Sequence, residues 1–276
     1  MRLALYQGPR LDPVPDRPAD ARDRCLDAIA QAAAAAALAG ADLLVCPEMS
    51  ATGYVIGAAV ARALAEPCGG PMSERLGQVA ADNGIAIAYG YPEAADGNVY
   101  NAVRVVGAGG ATLADYRKCQ LFGDLDRGMF TAGGDPLVQF DCAGLRLGVL
   151  ICYDVEFPEL VRAHALAGAD VVIVPTGLMA PHDIISSLLV PARALENQLF
   201  LAYANRCDTQ GSVRFVGASC VVGPDGRDIA RAGPDEQLLY ADLDVDLLRQ
   251  SRVDNPYLAD RRPDLYPRSP VPPAAP

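Results

Sequence analysis

The sequence predicts an α/β fold, a four-layer α-β-β-α sandwich in which one domain contains two related halves. Short apolar runs alternate with longer Ala- and Leu-rich helical segments along the chain. Ala39–Glu48 resembles Ala167–Thr176, since each contains a helix end, a turn and a buried strand that ends in proline. Further along each half, Val105–Gly110 resembles Val221–Gly226, and each is a strand that enters a turn. The two matches therefore occur in the same order along the chain. Chance similarity between Ala- and Val-rich segments is the alternative, but two ordered matches favour two halves that pack sheet against sheet.

Apolar runs of strand length and segments with the helical period divide the chain. The predicted strands are Leu3–Gln7, Asp42–Pro47, Ile85–Gly90, Ala102–Val106, Leu145–Ile151, Asp170–Pro175, Leu199–Ala204, Gly217–Val222 and Leu238–Asp242. The predicted helices are Ala19–Ala39, Ser73–Asn83, Pro158–Ala167 and Asp183–Asn197. Gly40 and Gly84 are typical helix ends. We expect one domain over residues 1–266 and a proline-rich tail over residues 267–276.

Length, charge and apolar content exclude several functional classes. A chain of 276 residues suits one large domain. Its 23 basic and 34 acidic residues give a net charge of −11, which argues against nucleic acid as a partner. Charged residues interrupt every apolar run before membrane-spanning length, and the first residues lack the pattern of a secretion signal. We therefore expect a cytoplasmic protein that binds neither membrane nor nucleic acid.

Cysteine and histidine usage argues against disulfides and metals. The eight cysteines are irregularly spaced and form no CxxC pair, so a disulfide framework is not expected. Two histidines are present, and neither lies at zinc-site spacing from a cysteine. We expect no metal and no cofactor, with most cysteines acting as small buried apolar residues.

Cys152 differs from the other cysteines by its position at a predicted strand-to-helix junction. It follows the apolar run Leu145–Ile151 and shortly precedes Pro158, where a helix should begin. Backbone N–H groups at such a junction can lower a thiol pKa and stabilise an oxyanion. An inert buried cysteine is the alternative interpretation.

A nucleophilic thiol needs a base, which is usually histidine. His164 falls inside a predicted helix and His182 in a loop, and neither position is strong evidence for catalysis. Glu48 ends a buried strand, where desolvation can raise a carboxyl pKa enough for base chemistry. Lys118 follows a predicted hairpin and could donate to an oxyanion. A solvated Glu48 and a surface Lys118 are the alternatives.

The contexts of these three residues resemble a known family. Cys46–Tyr54, Tyr116–Phe122 and Leu150–Glu159 are similar to the three signature blocks of the nitrilase superfamily, the carbon–nitrogen hydrolases. Arg193–Asn197 and Tyr203–Arg206 are also similar to that family. The resemblance extends from about residue 2 to residue 266 and implies an α-β-β-α sandwich, in agreement with the two-halves argument.

The resemblance also implies catalytic roles. Cys152 would be the nucleophile, and Glu48 would be the general base and the acid that protonates ammonia. Lys118 and the backbone N–H of Tyr153 would hold the tetrahedral oxyanion, and water would hydrolyse the thioester acyl-enzyme. Asp126 corresponds to a second catalytic glutamate of many members, with a shorter side chain.

Similarity of three further segments to family members implies a substrate class. Leu121–Phe130, Tyr89–Glu93 and Leu3–Gly8 look most like bacterial aliphatic amidases, especially 5-aminopentanamidases. The substrate would be a small primary amide with an amine at its far end, with water as co-substrate, and an acidic pocket would suit that cation. His182 is a further candidate for contacting the amine. The residues expected to bind substrate are Tyr54, Asp124, Glu156, Gly177, Leu178 and Met179.

Three other interpretations remain open at this stage. A nitrile hydrolase or an N-carbamoyl-amine hydrolase of the same superfamily would use the same three residues. A non-catalytic binding or assembly member is the alternative outside enzymes. The resemblance also implies a homodimer or larger homo-oligomer that assembles through the predicted helix Pro158–Ala167.

Overall fold

Two six-stranded sheets form the centre of the protein. The structure is a computed structural model, and it describes residues 1–9 and 17–266. The predicted tail, residues 267–276, lies outside the described residues. The strands are β1 (Arg2–Gln7), β2 (Leu43–Val45), β3 (Ala86–Ala95), β4 (Asn98–Val106), β5 (Thr112–Arg117), β6 (Gln139–Cys142), β7 (Leu145–Val149), β8 (Val171–Pro175), β9 (Phe200–Ala204), β10 (Thr209–Gln210), β11 (Val213–Arg214), β12 (Cys220–Val222), β13 (Asp228–Arg231) and β14 (Gln237–Asp242).

Along the chain, most of the helices alternate with the strands. They are α1 (Pro18–Leu38), α2 (Gly57–Leu64), α3 (Pro71–Asn83), α4 (Gly123–Met129), α5 (Pro158–Leu166), α6 (Val190–Asn197) and α7 (Val245–Asp254). Two 3₁₀ helices, Cys152–Glu156 and Pro263–Leu265, and a π-helical turn, Ile185–Leu189, complete the set. Within residues 1–9 and 17–266, no helix is both long and apolar enough to cross a bilayer.

The two sheets repeat one strand pattern, which confirms the predicted fold class. Their orders are β14-β1-β2-β3-β4-β5 and β6-β7-β8-β9-β12-β13. In each order the pairings run antiparallel, parallel, parallel, antiparallel and antiparallel. The similar segments Ala39–Glu48 and Ala167–Thr176 occupy equivalent places, since they contain β2 and β8. Val105–Gly110 and Val221–Gly226 are likewise equivalent turns, after β4 and β12.

Alternation along β1 shows how the layers stack. Leu3 and Leu5 belong to the core cluster that is shared with the second sheet, whereas Ala4 and Tyr6 pack with apolar residues of α1 and α3. Neighbouring strand residues point to opposite faces, so one strand serves both layers. The helices α5 and α6 cover the second sheet, which completes the α-β-β-α order.

The elements that the sequence did not predict are short, polar or at sheet edges. The edge strands β5 and β13 have several exposed positions and therefore no continuous apolar run. The helix α4 is seven residues long and contains two Asp in its first turn, so its helical period is weak. The other unpredicted elements are α2, α7, β6, β10 and β11, and the predicted helix Asp183–Asn197 begins as the π-helical turn.

His164 on α5 is buried and gives the fold an acid sensitivity that can be tested. Burial lowers the pKa of its imidazole to about 4, against a smaller opposing effect of the Val149 backbone. The imidazole takes up a proton near pH 6.5 in the unfolded chain but only near pH 4 in the folded protein. The free energy of unfolding is therefore unaffected by this group above pH 6.5 and falls as the pH drops from 6.5 toward 4. We expect His164→Gln to remove about 2 kcal/mol of the stability difference between about pH 7.5 and pH 5. Urea unfolding at both pH values measures this difference.

The matched control is His182→Gln, because His182 is the second of the two histidines and is exposed. Its pH dependence of unfolding should equal that of the wild type. If His164→Gln lost stability with acid as steeply as the wild type, another group would carry the sensitivity.

Candidate active site

Three strand ends bring the predicted catalytic residues together. Glu48 lies just after β2, Lys118 directly follows β5, and Cys152 lies just after β7 and begins a 3₁₀ helix. The three side chains are buried, with exposed fractions of 0%, 1% and 8% in that order. Cys152 has a φ of +46°, a left-handed conformation that non-glycine residues rarely adopt. The backbone therefore turns sharply at the thiol.

A lysine between two carboxylates forms the polar centre of the site. Lys118 Nζ lies 2.7 Å from Glu48 Oε1 and 2.6 Å from Asp126 Oδ2, and all three side chains are fully buried. Asn101 Nδ2 also donates to Glu48 Oε1, at 2.6 Å. The second carboxylate oxygen, Glu48 Oε2, is buried and has no hydrogen-bond partner among the described residues. One oxygen of Glu48 is thus held in place while the other remains available.

Burial and neighbouring charges oppose each other at this centre. Burial raises the pKa of Glu48, Lys118 lowers it and Asp126 raises it again, with a net upward shift. Burial alone would lower the pKa of Lys118, but Glu48 and the other groups around it, Asp126 included, hold it well above its usual value. Lys118 therefore keeps its charge at neutral pH, and Glu48 binds a proton more readily than an exposed glutamate.

Asp126 is held by three donors. Its Oδ1 accepts from the Tyr54 hydroxyl at 2.6 Å, and its Oδ2 accepts from the Phe122 N–H at 2.9 Å and from Lys118. The shorter side chain of Asp126 therefore reaches the lysine directly.

The Cys152 thiol is mainly in its neutral form. Burial raises its pKa, Glu48 raises it further, and Lys118, the Thr176 side chain and the Gly177 backbone partly offset these effects. A neutral thiol becomes a good nucleophile when a base removes its proton during attack.

Asp154 ties the loop of Lys118 to the turn of Cys152. Its carboxylate accepts from the N–H of Gln120 at 2.8 Å, from the Tyr116 hydroxyl at 2.8 Å and from the N–H of Ile151 at 3.1 Å. Burial raises its pKa to about 6, although these donors and Lys118 act in the opposite direction. These hydrogen bonds fix the positions of the two loops relative to each other.

A cavity of about 240 Å³ opens onto Cys152. Its lining residues are Tyr54, Phe122, Cys152, Tyr153, Glu156, Gly177, Leu178, Met179, His182 and Ile185. The structure thus brings most of the expected substrate-binding residues to one cavity. Asp124 is the exception, because it is exposed on α4 and does not line the cavity. Asp124 and Asp126 are two positions apart, so they point to nearly opposite sides of the helix.

Gly177 leaves room beside the free oxygen of Glu48. A Cβ at this position would lie 3.2 Å from Glu48 Oε2 and 3.3 Å from the Phe215 ring. These distances are tight for a carbon contact, so a side chain at this cavity-lining position would crowd Glu48 Oε2.

Three residues of the site were not predicted. Asn101 lies within β4, which also contains the buried Arg104, so a polar residue in this strand did not by itself single out Asn101. Phe122 and Ile185 line the cavity, and nothing in their local sequence distinguishes them from core residues. Within the described ranges, no group of three or more His, Cys, Asp or Glu side chains is arranged to hold a metal ion.

The sequence matches the family described as carbon-nitrogen hydrolase over residues 2–253. It is 49% identical over 269 residues to a Pseudomonas protegens protein described as "Hydrolase in pqqF 5'region", which covers 96% of this chain and 90% of the relative. It is 40% identical over 240 residues to an (R)-stereoselective amidase from Pseudomonas sp., which covers 87% of this chain and 84% of the relative. All of the catalytic candidates fall within residues 2–253, the range of the family match.

The fold is also similar to that of solved amidases. An amidase from Nesterenkonia sp. superposes with a TM-score of 0.81 at 37% identity, over 96% of this chain and 94% of that chain. A variant of the amidase from Nesterenkonia sp. AN1 is described with the acetamide moiety of fluoroacetamide added covalently at its active-site cysteine. The likeness therefore includes proteins whose cysteine reacts with a small amide.

Proposed function

This chain belongs to the carbon–nitrogen hydrolase family, and we propose that it is a cysteine amidase of small aliphatic primary amides such as 5-aminopentanamide. The enzyme hydrolyses carbon–nitrogen bonds other than peptide bonds. Its products would be a carboxylate and ammonia. The observation that carries the assignment is the geometry of Glu48, whose Oε1 is held by Lys118 and Asn101 while Oε2 is free.

Acylation begins with proton transfer. Glu48 Oε2 accepts the thiol proton while Cys152 Sγ attacks the amide carbonyl carbon. The carbonyl oxygen gains negative charge, which Lys118 Nζ and the N–H of Tyr153 stabilise. Glu48 then passes its proton to the amide nitrogen, the carbon–nitrogen bond breaks, and ammonia leaves a thioester on Cys152.

Deacylation repeats the same steps with water. Glu48 removes a proton from water, the hydroxide oxygen attacks the thioester carbon, and Lys118 and Tyr153 again stabilise the oxyanion. The carbon–sulfur bond then breaks, the sulfur takes up the proton from Glu48, and the carboxylic acid leaves and ionises to the carboxylate. Asp126 contributes by holding Lys118 in its charged form and in place.

The cavity supports a short aliphatic substrate. Aromatic and aliphatic side chains, including Phe122, Tyr153 and Leu178, line most of its surface. Among the described residues that line the cavity, Glu156 supplies the carboxylate, and its pKa is raised by partial burial and lowered by His182. A carboxylate in an apolar cavity attracts an ammonium group, which favours an amide with an amine at its far end.

The pair 5-aminopentanamide and hexanamide tests this preference, since the two molecules differ in whether the chain ends in an amine or a methyl group. We expect Glu156→Gln to lower kcat/KM for 5-aminopentanamide about 10-fold, because a charge-assisted hydrogen bond is lost. The value for hexanamide should change less than about 3-fold. Ammonia release under initial-rate conditions measures both.

The control variant is Glu159→Gln, whose carboxyl is exposed on α5 and does not line this cavity. Equal losses for both amides in Glu156→Gln would discard ammonium recognition and keep the amidase. A matched nitrile and an N-carbamoyl amine belong in the same panel, and faster turnover of either would overturn the proposed substrate class.

Assembly and location are parts of the same proposal. The helix α5 presents Leu166, which is 53% exposed, on the surface where we predict a homodimer or larger homo-oligomer. Sedimentation analysis gives the mass of the assembly. We also retain the prediction of a cytoplasmic protein.

A further inference from the structure

A small hairpin, formed by β10 and β11, connects the two sides of the cavity. On one side, Phe215 pairs with Met179 in an isolated antiparallel bridge. The N–H of Val216 also donates to the carbonyl of Leu178 at 3.0 Å. Leu178 and Met179 both line the cavity, so the hairpin is fixed to this wall by backbone contacts.

On the other side, the hairpin reaches the loop of Tyr54 through one side chain. Gln210 is 3% exposed, and its Oε1 accepts from the N–H of Tyr54 at 2.9 Å and from the N–H of Val55 at 2.8 Å. A buried amide oxygen that receives two backbone donors fixes the path of the backbone it contacts.

The orientation of the Gln210 amide is itself determined by charge. Gln210 Nε2 donates to Asp208 Oδ2 at 2.8 Å, and Asp208 forms an ion pair with Arg206 at 3.1 Å. Both side chains of this pair are fully buried. An acceptor on this side requires the NH₂ group to face Asp208, so the amide oxygen faces Tyr54.

From these contacts we propose that Gln210 is a positioning residue that sets the Tyr54 hydroxyl on Asp126 and thereby holds Lys118 in its catalytic place. The contacts run from Gln210 to the Tyr54 backbone, from the Tyr54 hydroxyl to Asp126 Oδ1 at 2.6 Å, and from Asp126 Oδ2 to Lys118 at 2.6 Å. The tyrosine ring is also fixed edge-on against Phe215, with centroids 6.0 Å apart. This inference rests on the proposed function, because it assumes that Lys118 stabilises the oxyanion.

A double-mutant cycle with Tyr54→Phe tests the coupling. Gln210→Met keeps the side-chain length and removes both the acceptor and the donor. We expect kcat for the best amide of the panel to fall about 10- to 100-fold, with a smaller change in KM, because the lysine is displaced. In the Tyr54→Phe background the further loss should be below about 3-fold, because the hydroxyl through which Gln210 acts is already absent.

Gln198→Met is the matched control, since Gln198 is equally buried and its amide donates to the carbonyls of Ser251 and Asn255, away from the Tyr54 loop. It should reduce the melting temperature without changing kcat. Multiplicative losses of Gln210→Met and Tyr54→Phe, or a folded Gln210→Met with wild-type kcat, would overturn the proposal. If Gln210→Met does not fold, Gln210→Glu decides, because it keeps an acceptor but replaces the donor to Asp208 by a second carboxylate. Repulsion between the two carboxylates should move the side chain away from Tyr54 and give a loss that disappears in the Tyr54→Phe background.

Alkylation by iodoacetamide separates this inference from the proposed function. The rate at which Cys152 is modified, followed by peptide mass spectrometry, needs no turnover. We expect this rate to fall about 3- to 10-fold in Gln210→Met, because a displaced Lys118 no longer favours the thiolate of Cys152. The rate should stay unchanged in Gln198→Met. If the wild type hydrolyses no amide, the proposed function fails, and the alkylation rates still judge Gln210. Equal rates in both variants would overturn the positioning role.

Discussion

Replacing Cys152 by alanine should lower ammonia release from every amide of the panel by at least about 10⁴-fold. The substitution deletes the atom that attacks the carbonyl carbon, and no other described cysteine lines the cavity. Alanine can keep the left-handed turn, which alanine and cysteine adopt at similar cost, so the loss should come from chemistry. Steady-state kinetics with coupled detection of ammonia measures the effect, and circular dichroism checks the fold.

Cys220→Ala is the appropriate control for this experiment. Cys220 is also fully buried, but it lies on β12 and does not line the cavity. Its variant should keep kcat within about 3-fold of the wild type, as expected for a packing change away from the site. Substantial hydrolysis by Cys152→Ala would contradict the nucleophilic role and require another group to attack the amide.

The fold was predictable because the chain repeats itself. The repeated helix-turn-strand segments place β2 and β8 at equivalent positions. The two sheets that contain them have the same order of parallel and antiparallel pairings. Periodicity identified the buried central strands, where apolar runs are continuous. It could not identify β13, because this edge strand has only exposed and half-buried positions and therefore no continuous apolar run.

The catalytic candidates were predictable for a related reason, and their partners were not. Glu48 and Cys152 lie where strands end, which is a position that local sequence reveals. Asn101 contacts Glu48 across 53 positions, and Gln210 contacts Tyr54 across 156 positions. Nothing in the sequence near either residue encodes such a contact. Asp124 failed as a cavity residue because its helix, α4, was not predicted, and only the helical period separates it from Asp126.

Charge at the polar centre explains why Glu48 can act as a base. When all three groups are ionised, Lys118 faces two carboxylates in a buried space, so the cluster carries an excess negative charge. Uptake of one proton relieves this excess, and Glu48 Oε2 is the unpartnered carboxylate oxygen of the described cluster that can take it. The thiol of Cys152 is a proton source that also generates the nucleophile.

Glu48→Gln should therefore remove both halves of the reaction, with kcat falling about 10³- to 10⁴-fold. Glutamine has nearly the same shape and can still accept from Lys118 and Asn101 through its carbonyl oxygen. It cannot take a proton from Cys152 or from water, and it cannot return one to the departing nitrogen. A rapid-quench measurement of ammonia separates the acylation burst from steady-state turnover, and we expect neither phase at the wild-type rate.

The stability of the same variant distinguishes a lost base from a lost structure. Glu48→Gln leaves Lys118 paired with Asp126 alone, so the buried cluster becomes neutral overall. We expect the free energy of unfolding at neutral pH to stay equal to that of the wild type or to rise, because active sites often sacrifice stability for chemistry. Inactive protein that is also strongly destabilised would indicate a structural role for Glu48. A full burst of ammonia would show that another group deprotonates Cys152.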